Sequence, residues 1–143
     1  MLTLESFNLS ENMFHKAPML LVDKILEENT ESGRASFKIL NDSIFIDKDG
    51  YFSRAALIDF AAQSLAAVDI FQKQRDALKI KKGFLASVKN FSFYKDAKAG
   101  DTLLSFINRT DNLAGIHIVC AEIFKNSWEN LIAKGEIRIY EFE

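Results

Sequence analysis

The longest regular pattern in the chain is a run of small and apolar residues at helical spacing. It covers residues 53–75, and its apolar positions extend around most of the helix circumference. Ser53 is a residue type favoured at the N-cap of a helix. Because a helix with so little polar surface has to be covered, the pattern predicts one long central helix that is largely buried.

Six other segments alternate apolar and polar residues or form short apolar runs, and both patterns are typical of β-strands. The predicted strands are residues 19–26, 34–40, 85–93, 102–109, 115–124 and 131–140. Two precede the helix and four follow it, a segregated order that indicates an α+β fold. With no internal repeat or linker in the sequence, we expect one domain over residues 1–143. In it, an antiparallel sheet of about five to six strands curves around the helix.

The composition narrows the chemistry that the chain can support. Its 143 residues include one cysteine, two histidines, one proline and 13 phenylalanines. A single cysteine cannot form an internal disulfide, and no Cys or His cluster suggests a zinc site, so no metal is expected. The apolar runs are shorter than the about 18 residues of a transmembrane helix, and the first 14 residues do not resemble a signal peptide. We therefore expect a cytoplasmic protein that is not associated with a membrane.

Charge is unevenly distributed along the chain. The formal net charge of −2 argues against a nucleic-acid-binding protein. Residues 72–98, however, contain eight Lys and Arg residues against two Asp residues, a local charge of +6. This positive segment is either a solvated helix end and loop or a landing surface for an acidic partner, such as a phosphate-bearing cofactor or an acidic carrier protein.

Four titratable side chains and one thiol lie in apolar surroundings. Asp59 sits inside the apolar helix, where a carboxylate is costly unless it is paired, hydrogen-bonded or protonated, so it is either a catalytic acid or a residue that reaches solvent. Asp69 is nearer the polar end of the helix and is expected to be more exposed. His15 precedes the first predicted strand and is either structural or catalytic. On the fifth strand, His117 is expected to face outward or to have a satisfying partner, and Cys120 to be a small core residue.

Two motifs resemble those of a known enzyme family. Residues 15–23, HKAPMLLVD, resemble the His-Arg-x-Pro-Phe-Leu-Leu-Val-Asp stretch of bacterial 3-hydroxyacyl-acyl carrier protein dehydratases (FabZ/FabA type). Residues 56–63, ALIDFAAQ, resemble the central-helix motif of that family, in which an acidic residue stands four positions before a glutamine. The resemblance covers most of residues 13–110. It is closest to the divergent dehydratase-like proteins of aryl-polyene and related polyketide clusters, because residues 49–55 lack the proline- and glycine-rich run of the typical enzyme.

This resemblance implies a hot-dog fold, in which a sheet wraps a long helix, and a dehydratase that converts a 3-hydroxyacyl thioester to a trans-2-enoyl thioester. It implies His15 as the base and Asp59 as the acid, contributed by different subunits of a homodimer or dimer of dimers. A heterodimer with a second dehydratase subunit is an alternative. No cofactor is expected, because the substrate is carried on the phosphopantetheine arm of acyl carrier protein or of CoA.

The same resemblance suggests residues that contact the substrate. Gln63 belongs to the helix motif, while Arg54 and Ser87 stand where the family commonly has glycines close to the thioester. Lys81 and Lys82 lie in the positive segment and are expected to receive the phosphopantetheine arm and its carrier protein. We expect phenylalanines to line an apolar tunnel for the acyl chain.

Two alternative functions share this fold. A hot-dog acyl-CoA thioesterase also uses an acidic residue on the central helix, although the His-x-x-Pro motif argues against it. A non-catalytic subunit that binds acyl carrier protein or an active dehydratase is consistent with the substitutions at Arg54 and Ser87.

Overall fold

The computed structural model describes residues 1–142. Its elements in chain order are α1 (Leu9–Asn12), β1 (Lys24–Glu28), β2 (Ser32–Lys38), α2 (Arg54–Arg75), β3 (Lys82–Phe93), β4 (Thr102–Leu113), β5 (Ile116–Lys125) and β6 (Leu131–Phe142). The six strands form one antiparallel sheet in the order β1-β2-β4-β5-β6-β3. The sheet curves around α2, which contacts all six strands. The predicted α+β arrangement of strands around one helix is therefore present in the structure.

The central helix matches the prediction closely. The Ser53 hydroxyl caps it by accepting a hydrogen bond of 3.3 Å from the Ala56 backbone N–H. By length and composition alone, α2 would also pass as a membrane-crossing helix. The sheet covers most of its apolar residues, however, which explains its composition. Sheet and helix approach so closely at Gly33 that a Cβ there would lie 2.7 Å from Val68 Cγ2.

The first strand is shorter than predicted and begins later. Of the predicted residues 19–26, only those from Lys24 onward pair with β2. Leu21 and Val22 are buried, so the apolar run does enter the core. Its backbone, however, is hydrogen-bonded to the side chain of Gln63 on α2, which takes the place of a neighbouring strand. Burial explains the apolar pattern here, and strand pairing does not.

The fifth strand has the predicted position but the opposite orientation. His117, Val119 and Ala121 face the helix and are buried, whereas Cys120 is exposed on the outer face. The prediction of Cys120 as a core residue is therefore wrong. Of the two alternatives for His117, the outward-facing one is wrong, and a partner is present because its Nε2 lies 3.1 Å from Glu141 Oε1. Because successive strand residues point to opposite faces, assigning one set of alternate residues to the wrong face of the sheet misplaces every residue of the strand.

Candidate active site

One elongated cavity of about 440 Å³ lies along α2. This volume is within the range of small-molecule sites. The residues of α2 that line it recur at helical spacing and form one stripe: Asp59, Ala62, Gln63, Leu65, Ala66, Asp69 and Ile70. The segment before β1, the start of β3 and the end of β6 supply the remaining walls: Met13, Phe14, His15, Lys81, Lys82, Gly83, Phe84, Leu85, Ile139 and Glu141.

Five of the seven predicted site residues line this cavity. They are His15, Asp59, Gln63, Lys81 and Lys82. The two predicted catalytic groups are separated by 44 positions in the sequence, and they meet in one cavity of a single chain. The arrangement implied by the resemblance, in which they come from different subunits, stays a prediction.

The segment that carries His15 is held on both sides. Before it, Met13 is buried against the core and lines the cavity. After it, the Lys16 ammonium group donates hydrogen bonds of 2.9 Å to the backbone carbonyls of Ser10 and Glu11 around α1. His15 itself is partly buried, with one face toward the cavity. The imidazole therefore stands on a fixed backbone and remains accessible to a ligand.

Gln63 connects the two catalytic candidates. Its Oε1 accepts a hydrogen bond of 2.7 Å from the Leu21 backbone N–H, and its Nε2 donates to the Met19 carbonyl at 3.0 Å and to Asp59 Oδ2 at 2.9 Å. The side chain is 1% exposed, and its amide is fully occupied by protein groups. Gln63 lines the cavity while its amide holds Asp59 and the segment after His15 together, and its predicted contact with substrate stays a prediction. Among residues 1–142, no protein group hydrogen-bonds Asp59 Oδ1, which leaves that oxygen for a ligand.

Arg54 and Ser87 do not line this cavity. Arg54 begins α2 and is held by Asp96, with 3.0 Å between Arg54 Nε and Asp96 Oδ1, and its guanidinium lies 5.3 Å from the centre of the Phe93 ring. Ser87 is exposed on β3, beyond Leu85, the last residue of that strand in the cavity wall. Neither side chain reaches the cavity, because each lies outside the stretch of its element that faces it.

The cavity wall includes two lysines and contains few aromatic rings. Lys81 and Lys82 are exposed, and Lys82 Nζ lies 5.6 Å from the centre of the Phe14 ring. Phe14 and Phe84 are the two lining residues among the 13 phenylalanines. The other apolar lining residues are not aromatic: Met13, Ala62, Leu65, Ala66, Ile70, Gly83, Leu85 and Ile139. The prediction of a phenylalanine-lined tunnel is therefore wrong for this cavity.

Further along α2 from Asp59, beside the start of β3, lies a charged cluster that the sequence did not predict, which we call the distal cluster. It consists of Asp69, Lys73, Arg109, His117 and Glu141. Lys73 Nζ lies 3.1 Å from Asp69 Oδ2 and 3.4 Å from Glu141 Oε2, and His117 Nε2 lies 3.1 Å from Glu141 Oε1. Arg109 approaches Asp69 Oδ1 at 3.9 Å. The expectation that Asp69 is exposed is wrong, because its side chain is only 14% exposed.

The two carboxyl groups of the distal cluster respond differently to their surroundings. Burial, together with the nearby Glu141 carboxylate, raises the pKa of Asp69, and Lys73 and Arg109 only partly oppose this change. Burial also acts to raise the pKa of Glu141, but the charges and hydrogen bonds of His117 and Lys73 outweigh it and hold that pKa below its ordinary value. Asp69 is thus the carboxyl group of this cluster that is easier to protonate.

The described residues offer no obvious place for a metal ion. Across residues 1–142, no group of three or more His, Cys, Asp and Glu side chains is arranged to hold one.

Solved structures with the same architecture define the class of the fold. One is the dehydratase heterocomplex ApeI:P from Xenorhabdus doucetiae, with a TM-score of 0.82 and 16% identity over 90% of this chain and 87% of that chain. Zebrafish thioesterase superfamily member 2 matches with a TM-score of 0.71 and 12% identity over 100% of both chains. A hypothetical thioesterase from Streptococcus pneumoniae with coenzyme A gives a TM-score of 0.65 and 13% identity over 83% of this chain and 84% of that chain. The predicted hot-dog fold is confirmed.

The family is given by the sequence itself. Fold and sequence together define a divergent, dehydratase-like hot-dog protein of the aryl-polyene type, as the two motifs predicted. Residues 7–143 match the family model for ApeP-like proteins, described as ApeP dehydratase, so the chain belongs to the ApeP-like family. No curated protein matches the sequence.

Proposed function

We propose that this protein removes water from a 3-hydroxyacyl thioester to give a trans-2-enoyl thioester. The observation that supports the proposal is the meeting of His15 and Asp59 in one cavity whose remaining wall is mostly apolar. Elimination needs a base at carbon 2 and an acid at the carbon-3 hydroxyl. Neutral imidazole and a carboxylic acid are suited to these tasks.

In the proposed reaction, His15 takes the proton from carbon 2 of the acyl chain. The electron pair of that C–H bond forms the double bond between carbons 2 and 3 as the bond from carbon 3 to oxygen breaks. The departing hydroxide takes the proton of the Asp59 carboxyl group and leaves as water. Gln63 fixes Asp59 Oδ2 through its amide N–H, which directs Oδ1 to the leaving group. The proton on His15 then returns to Asp59 through water, which restores the starting state.

The test is the reverse reaction, hydration of a crotonyl thioester, followed as loss of enoyl absorbance. His15→Ala and Asp59→Asn should each lower the rate by about 100-fold or more, the usual contribution of a general acid or base. Asp42→Asn, at an exposed aspartate outside the cavity, should leave it unchanged. Equal rates in wild type and His15→Ala would refute the proposal. Release of free thiol from acyl-CoA faster than hydration would identify a thioesterase instead, and binding without either reaction would identify a non-catalytic subunit.

We further propose that Lys81 and Lys82 receive the phosphopantetheine arm and its acidic carrier protein. Both lysines are exposed and line the cavity, so they bring the positive segment to the site. The double variant Lys81→Glu, Lys82→Glu should raise KM for the substrate on acyl carrier protein and not for the same acyl group on pantetheine alone. Lys95→Glu is the matched control, because it changes an exposed lysine of the same segment outside both the cavity and β3. An unchanged KM in the double variant would contradict this role.

We propose that the functional unit contains a second hot-dog subunit paired along β3. β3 is an edge strand of 12 residues, and its exposed side chains include Phe84 and Val88. A long, apolar edge strand is a ready template for another strand. The Xenorhabdus protein of the same architecture is described as a heterocomplex, which supports a second dehydratase subunit as partner. Val88→Lys should shift the mass measured by light scattering toward that of the monomer. An unchanged mass would contradict pairing at this edge.

A further inference from the structure

β3 is exposed along its whole length. It stands last in the strand order, so β6 is the only strand that pairs with it. None of its 12 residues is buried, whereas β4, β5 and β6 all contain buried positions. Its backbone therefore offers a row of free hydrogen-bonding groups to a strand of another chain.

The regular part of this edge is shorter than the strand. Beyond Lys89, a register shift between Lys89 and Ser92 interrupts the pairing with β6, and Asn90 has a φ of 53°. A bulge of this kind bends a strand and ends its regular pairing. The regular stretch is therefore residues 82–89, which we call the β3 template. A second register shift, around Ala86, lies at its centre, so the two ends of the template remain equivalent.

Each end of the β3 template is a lysine. The register with β6 places Lys82 opposite Phe142 and Lys89 opposite Glu136, so both lysines are on the outer face of the sheet. Residues 77–94 contain four lysines and no Asp or Glu. Among residues 1–142, no carboxyl group forms an ion pair with Lys82 or Lys89. The template thus presents positive charge that the chain itself does not balance.

A second copy of this chain fits the β3 template poorly. Two copies related by a two-fold axis would pair their templates antiparallel, and the first residue of each would meet the last residue of the other. Lys82 would then lie opposite Lys89 twice in the same dimer. Like charges directly opposite each other on paired strands are destabilising.

The opposite edge of the sheet does not supply a complementary strand either. β1 contains two glutamates but has only five residues, and a register shift between Ile25 and Glu27 interrupts it. Both glutamates also have partners in their own chain: Glu27 lies 3.8 Å from Arg34, and Glu28 lies 3.0 Å from Arg75. An acidic strand for the template must therefore come from a different chain.

We propose that β3 selects an edge strand of a different chain that carries carboxyl groups at both ends of the paired stretch. Lys82 and Lys89 disfavour a second copy and attract such a strand, because it replaces two repulsive contacts with two attractive ones. The inference rests on the proposed pairing along β3 and adds the chemistry by which the partner is chosen.

Charge-reversal variants test this selection through self-association, measured by sedimentation equilibrium at low ionic strength. Lys89→Glu turns both contacts between two copies into opposite-charge pairs, so it should self-associate at least about tenfold more tightly than wild type. Lys82→Glu should do the same by symmetry, although its neighbour on β6 is Phe142 and not Glu136. The double variant Lys82→Glu, Lys89→Glu restores like charges and should return to the wild-type level or below it.

The double variant also serves as a chain with the acidic strand of the proposed partner. Mixed with wild type, it should form a dimer at least about tenfold more tightly than either chain alone. At about 1 M salt, where charges are screened beyond about 3 Å, this gain should fall. Lys95→Glu is the matched control, because it changes the net charge by the same amount as each single variant and lies outside β3, so it should behave as wild type.

Two results would overturn the charge selection: self-association of wild type as tight as that of Lys89→Glu, or a mixture with the double variant that pairs no more tightly than wild type alone. Failure of the pairing itself gives a different result. In that case, Val88→Lys introduced into each chain leaves every measured mass unchanged. If Val88→Lys abolishes the dimers while Lys89→Glu pairs no better than wild type, pairing at this edge stands and the charge selection alone is wrong.

Discussion

Replacement of Gln63 by methionine tests how the site is held together. Methionine has nearly the same length and volume and cannot form the three hydrogen bonds of the amide. The variant leaves the Leu21 backbone N–H without its acceptor in a buried position, and it leaves the Met19 carbonyl and Asp59 Oδ2 without their shared donor. It therefore removes polar contacts without creating a large cavity.

The size of the effect follows from the burial of these groups. A buried donor left without a partner costs about 1–3 kcal/mol, and Leu21 is 1% exposed. The Met19 carbonyl belongs to an exposed residue and can be rehydrated, so it adds roughly 0.5–1 kcal/mol, the net value of one hydrogen bond. The expected loss in the free energy of unfolding is thus about 1.5–4 kcal/mol, the sum of the two.

Urea unfolding, followed through the fluorescence of the single tryptophan Trp128, measures this free energy. Gln74→Met is the matched control, because Gln74 lies on the same helix but is exposed, and its change should stay within about 0.5 kcal/mol. If Gln63→Met is as stable as that control, Gln63 does not hold the His15 segment against the helix. Crotonyl hydration by the folded variant should also fall, because both proposed catalytic groups lose their common support.

Three further predictions concern the length of the cavity and the distal cluster. Ala66→Leu should weaken binding of long acyl analogues at least about tenfold, since a tenfold change needs only about 1.4 kcal/mol of lost contact, and it should leave crotonyl hydration unchanged. The control Ala55→Leu, on the exposed side of α2, should change neither binding nor hydration. Glu141→Gln should lower the free energy of unfolding at pH 7, because a carboxyl group whose pKa is lowered by folding stabilises the fold when the pH is above the pKa of the unfolded state. The difference from wild type should disappear as the pH falls below 4.5 in urea titrations. Asp69→Asn should leave the free energy of unfolding at pH 7 equal to that of wild type or raise it, because a raised pKa means that the folded protein favours the neutral form of the carboxyl group. A clear loss of stability would contradict this expectation.

Regular patterns in the sequence were sufficient to predict the architecture. The helix is apolar around most of its surface and has a serine cap, and the strands alternate, so both were located to within a few residues. The first strand was mispredicted because an apolar run indicates burial and does not reveal which group forms hydrogen bonds with its backbone. On β5 both rows of residues are largely apolar, so the pattern could not indicate which row faces α2.

The candidate site was predictable only where a local motif marks it. His15, Asp59 and Gln63 lie in two short motifs, and the structure brings them together. The distal cluster has no such motif, because Glu141 reaches Asp69 only through the pairing of β6 with its neighbours. One signal was nevertheless present: Asp69 continues the helical spacing of Asp59, Ala62 and Ala66, and this places it on the same face.

The stripe on α2 has a consequence for how the specificity of this cavity can change. A single helix carries both the proposed acid and the distal carboxyl group, so their separation is set by the number of residues between them. Inserting or deleting one residue would move the distal group by about 1.5 Å and rotate it by roughly 100°, away from the cavity. For the proposed acyl substrate, a different chain length would therefore be reached by changing side chains such as Ala62 and Ala66, while the distance along the helix stays constant.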